Sequence, residues 1–179
     1  LRIQALGMAD PTGEAERDQV QAFDWRSNAL LPTILAKDYA AWQQAVTDAA
    51  RRADVLLVLS FSGMPRSGSD PSAVDALEVA RWTEQHTVPL AISVRERFAQ
   101  GGGALAIAPS AEALGEQAGG LALRALPRHA LPPPEESQDF AVALRPERLA
   151  RRGYKLPDIY VQAARAAQLL FREPEPGPQ

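Results

Sequence analysis

The chain has 179 residues, 22 acidic against 19 basic side chains, a formal net charge of -3 and no cysteine. These values exclude disulfides and thiolate metal sites, and they argue against nucleic acid as the main partner, because phosphate binding needs clustered positive charge. With 46% hydrophobic and 23% charged residues the chain can build a real core, and its length fits one domain or one and a half lobes of something larger.

Taken in order, residues 1–8 (LRIQALGM) read as a strand followed by the turn signal ADPTG. Ala15, Val20, Ala22 and Phe23 lie near helical spacing and predict a helix over 14–26. ALLPTILAK, 29–37, reads as a second strand that Pro32 confines to an edge or shifts. Asp38 reads as the N-cap of a helix whose Ala41, Trp42, Ala45, Val46 and Ala49 make one apolar stripe. DVLLVLS, 54–60, is the clearest strand, apolar throughout as a parallel strand covered on both faces should be.

A small, polar, glycine-bearing loop then gives way to helical spacing over 72–86, and TVPLAIS, 87–93, is the next strand. GGGALAIA provides a glycine-rich entry to a buried run over 104–108, and Ser110 caps a helix over 111–126. A proline-rich connection leads to a strand over 138–144, a short helix stopped by Gly153, and a final helix over 155–171. The tail 173–179, rich in proline, reads as disordered. This alternation demands an α/β fold with a mostly parallel sheet and helices on both faces, whose ligand sits beyond the carboxyl ends of the strands.

The inventory of reactive groups is short. His86 and His129 have no partner at metal-ligand spacing, and SFSGMP has the small residues of a nucleophile turn in the wrong order. There is no phosphate-binding Gly-Lys-Ser/Thr loop, and GGGALA precedes a strand instead of following one. Glu135 and Glu136 stand beside three prolines and read as solvated. No enzyme signature emerges, and neither a cofactor nor a metal is expected.

From the glycine run onward, "GALAIA", the helix "SAEALGEQAGGLALRAL" with Gly115 and Gly119 at small positions, the strand "DFAVAL" and "RLARRGYKLP" follow one another in an order that resembles the ABC transporter substrate-binding protein family of the type I periplasmic-binding fold. Upstream, "AKDYAAWQQAVTDAARRADVLLVLSFSG" and "HTVPLAIS" are similar to that family's helix-then-strand units, so the resemblance covers about residues 36–160. One departure is Arg145, which stands where the family has Asn after the strand. The resemblance implies that 1–109 form the second lobe of a two-lobed binding protein and 110–172 a helix-strand-helix return segment, with an amino-terminal half-lobe lying outside this chain or a second chain completing the fold. It also implies a periplasmic or extracytoplasmic location, a small polar ligand such as an amino acid or other zwitterion, and a membrane permease as partner. A ligand-sensing domain of a signalling protein is the alternative use of the same fold.

Under this resemblance the ligand contacts come from loops 9–13, 60–63 and 93–97. Asp10 and Thr12 offer hydrogen bonds to an amine or hydroxyl, Ser60, Ser62 and Ser93 supply hydroxyls, and Phe61 can cover an apolar part. Arg95, with Glu96 beside it, is the best candidate for gripping an anionic group through its planar fork. Each has a plainer reading: turn chemistry for the serines, core packing for Phe61, and an ion pair of Arg95 with Glu96 or Glu84. Trp25, Trp42 and Trp82 read as packing residues within helices.

Overall fold

The computed structural model describes residues 1–126, 132, 133, 135, 137 and 139–172. Strand β1 (Arg2–Met8) is apolar along almost its whole length and lies inside the main sheet, flanked by β4 (Val55–Val58) and by the short edge strands β2 (Ala29–Leu30) and β3 (Ile34–Ala36). The order runs β2-β1-β4-β7-β8-β9, with β3 also on β1; β7 is Leu90–Ser93, β8 Leu105–Pro109 and β9 Phe140–Leu144. All pairings in this sheet are parallel except β8 with β9. This is the mostly parallel α/β architecture expected from the alternating pattern.

Parallel strands need crossovers, and the helices supply them. α2 (Tyr39–Ala49), α3 (Ala76–His86) and the short α4 (Glu96–Gln100) cover one face, where Trp42, Val46, Val79, Ala80 and Phe98 pack on Leu6, Leu56, Val58 and Ala91. On the other face Leu149 of α6 (Pro146–Arg151) and Ala164 of α7 (Asp158–Ala166) pack on Leu90, Leu105, Val142 and Leu144. α1 (Pro11–Ala22) packs against β1. Val55 and Leu57 are only partly buried, so β4 is fully covered on one face and half-covered on the other.

The differences from the sequence reading have local causes. α1 occupies 11–22, not 14–26, because Asp10 caps it by accepting from Gly13 N at 2.7 Å and Pro11 sits at its first position. Trp25 therefore lies beyond the helix, its Nε1 donating to Val20 O. The strand expected over 29–37 is cut in two: Pro32 has no N–H to donate, and buried Gln4 fills the break by donating Nε2 to Pro32 O at 2.7 Å.

The helix expected from residue 72 starts only at Ala76, after its cap Asp75. Residues before it form an antiparallel hairpin, β5 (Pro65–Ser67) and β6 (Asp70–Ala73), turning at Gly68 and Ser69. Pro71 suits an edge strand and not a helix interior, and Ser72 N is held by Asp70 Oδ1. α4 was also not foreseen. It carries the chain from β7 to β8, and Gly103 follows it because a Cβ there would stand 2.2 Å from the Phe98 ring.

Two arginines hold the carboxyl half in place. Arg152 donates twice to the buried carboxylate of Glu84, at 2.9 and 3.0 Å, and Glu84 also accepts from Ala104 N. Arg145 donates to the carbonyls of Ala99, Gln100 and Arg172, with its guanidinium over the Phe171 ring. The residue that departs from the family pattern is thus a clamp between α4 and the segment after α7. The segment 173–179 and His129 lie outside the described residues.

Candidate functional site

Because β1, β4, β7 and β8 run parallel, their carboxyl ends reach one edge of the sheet and the loops that follow them share one wall. A cavity of about 440 Å³ opens there. The β1–α1 turn contributes Asp10 and Thr12, the stretch after β4 contributes Ser60, Phe61 and Ser62, and the β7–α4 junction contributes Val94, Arg95, Glu96 and Arg97. Ala108, Pro109, Ala111 and Leu114 close the fourth side, the last two from α5 (Ala111–Ala125).

Seven of the eight residues singled out from the sequence therefore border one space: Asp10, Thr12, Ser60, Phe61, Ser62, Arg95 and Glu96. Their circumstances differ. Asp10 spends Oδ1 on the cap of α1, while Thr12, Ser62 and Glu96 are exposed. Ser60 is 8% exposed, and its Oγ is buried with no partner among the described residues. A buried hydroxyl without a hydrogen bond is costly, and this one belongs to a residue that borders the cavity.

Phe61 is mainly a core residue. It is 1% exposed, and its ring lies 6.3 Å from that of Trp42 and 6.1 Å from that of Phe98, so a broad stacking face for a ligand is not what it offers. Ser93 does not reach the cavity: it is fully buried, donates Oγ to Val58 O at 3.0 Å and accepts from Arg95 N at 3.0 Å. Its hydroxyl ties β4 to β7 and fixes the backbone from which Arg95 projects.

Arg95 pairs with neither Glu96 nor Glu84. Its Nη2 bonds Glu16 Oε1, while Glu16 Oε2 accepts from Ser60 N at 2.7 Å. Glu16, on the second turn of α1, is the residue that sequence reasoning missed. Its partners lie 44 and 79 positions away, and nothing in the spacing of α1 announces them. The pair also stands between the cavity and an adjoining trough of about 630 Å³, lined by Glu16, Gln19, Val20, Ile107 and Phe140, with Arg95 bordering both.

The arrangement provides a cationic fork held in place on one side, an unpartnered hydroxyl, the carboxylates of Asp10 and Glu96, and apolar patches from Ala108, Pro109 and Leu114. Such groups can pair with a charge and contact an apolar surface.

No protein-family model matches the chain, and no curated protein matches it by sequence. Solved structures do resemble it. The ABC domain in complex with L-Trp from Streptococcus pneumoniae superposes with a TM-score of 0.58 at 12% identity, over 90% of this chain and 54% of that one. A conserved domain protein from Vibrio cholerae O1 biovar eltor gives the same TM-score and identity, over 90% of this chain and 53% of its own. The chain thus spans about half the length of these structures, and the likeness shows a periplasmic-binding-like fold.

Proposed function

We propose that this chain is one lobe of a non-enzymatic solute-binding protein that captures a small amino acid or related zwitterion for an ABC-type importer. The observation that carries the reading is the convergence of Arg95, the unpartnered Ser60 hydroxyl and Asp10 on a single open cavity at the carboxyl edge of the sheet. Arg95 receives the ligand carboxylate, and Asp10 with the Ser60 hydroxyl receives the ammonium. Each charge-assisted bond contributes about 1.5–3 kcal/mol. The Streptococcus structure holding L-Trp in a similar fold supports a ligand of this class.

A cavity open on one side is half of a cleft. In the proposed mechanism a second lobe supplies the facing wall, ligand contacts to both walls favour the closed arrangement, and that arrangement docks on a membrane permease outside the cytoplasm. α5 fits this role: it fully buries none of its residues, and its Leu114 and Leu123 and its C-cap Leu126 are exposed. A helix this exposed, with leucines on more than one face, is surface that a second lobe would cover.

The test is an amide-resonance titration of the chain with a panel of L-amino acids that includes L-tryptophan. Shifts confined to residues 10–12, 60–62 and 95–97, and their loss in Arg95→Ala, are expected. Shifts scattered over the surface, or unaffected by Arg95→Ala, would sink the assignment.

A further inference from the structure

The residues lining the cavity include two acids, Asp10 and Glu96, and two arginines, Arg95 and Arg97. On their own they balance. Glu16 lies behind Arg95, its side chain 13% exposed against 46% for that of Arg95, and its bond to Arg95 adds a negative charge that the cavity wall does not show. The guanidinium that a ligand carboxylate would meet is therefore already compensated. A ligand carrying only a carboxylate enters a site with one surplus negative charge, whereas a ligand bringing an ammonium as well leaves that balance unchanged.

The position of Glu16 is fixed. Its second oxygen accepts the Ser60 amide at 2.7 Å, so the carboxylate cannot swing away from Arg95 without breaking a bond to the loop after β4. The same loop carries the unpartnered Ser60 Oγ. One side chain on α1 thus sets both the charge felt at Arg95 and the placement of the open hydroxyl. Among the described residues the Arg95 guanidinium gives only an Nη2 bond to Glu16, and its remaining N–H groups are available to a ligand.

We infer that Glu16 is the specificity-determining residue of this cavity, selecting zwitterions over simple carboxylates by neutralising Arg95 from behind. The inference rests on the amino-acid reading above and assigns its selectivity to a group the ligand need not touch.

Three probes with the same ring isolate the effect: L-phenylalanine, 3-phenylpropionate, which lacks the ammonium, and phenethylamine, which lacks the carboxylate. Affinities are read from resonance titrations of the chain and of Glu16→Gln, whose amide oxygen can still accept the Ser60 N–H. Glu14→Gln, the same charge change at an exposed position of the same helix, is the control. In the unaltered chain L-phenylalanine should bind more tightly than either relative. In Glu16→Gln the ratio of 3-phenylpropionate to L-phenylalanine affinity should rise about tenfold, as expected for removing one charge a few ångströms away in a partly solvated site. Glu14→Gln should leave the ratio within about twofold, because exposed charges at a distance are screened.

A ratio unmoved in Glu16→Gln, with zwitterion preference intact, overturns the role of Glu16 and leaves the amino-acid reading standing. A ratio moved equally by Glu14→Gln has the same consequence. An unaltered chain that binds none of the three overturns both.

Discussion

Arg95 shows how little of a residue's role is local. From sequence its ion-pair candidates were Glu96, beside it, and Glu84; the fold pairs it with Glu16, 79 positions away, and gives Glu84 to Arg152. The second pair is the more buried, with side chains 3% and 20% exposed. Removing one partner of such a pair strands a charge where water cannot reach it. Arg152→Ala should therefore lower unfolding stability by about 3–5 kcal/mol, since among the described residues only the Ala104 amide would remain on the Glu84 carboxylate. Urea titration measures this, and a loss under about 1 kcal/mol, typical of a solvated pair, would contradict it.

At the scale of elements, helices and strands respond to different information. The caps Asp38 and Ser110 are legible because they act within three residues, on Ala41 N and Ala113 N. The β5–β6 hairpin is not, because SDPSAV satisfies helical and strand spacing equally until Pro71 is given a position at a sheet edge. α5 is the element whose sequence and environment agree least. It holds Gly115, Gly119 and Gly120, each costing about 1 kcal/mol relative to alanine, and no fully buried side chain offsets them. In this chain alone its amides should exchange with deuterium about a hundredfold faster than those of β1 and β4. Protection in α5 equal to that of the sheet would show that it needs no further surface to pack on.

At the scale of the whole molecule, the cavity is open on one side and the sheet has one fully covered face. Ile107 and Phe140 remain exposed beside the trough next to Arg95. A cavity open on one side leaves the ligand partly solvated, so the affinity of this chain alone should be weaker than about 1 μM for any amino acid. Calorimetry decides the point: sub-micromolar binding by the chain alone would mean that the cavity works without a facing lobe.

The order of strands and helices, the parallel sheet and the edge at which loops gather were determined by hydrophobic period, caps and turn residues, all of which act over a few positions. Asp10, Ser60 and Arg95 could be singled out only with the help of the family resemblance, which names the loops after their strands as the ligand's. Packing alone decided that Phe61 belongs to the core, that Ser93 braces two strands, and that Glu16 stands behind Arg95. Those assignments depend on which side chains meet across the sheet, and the pairing of distant strands is set by the closure of the whole fold.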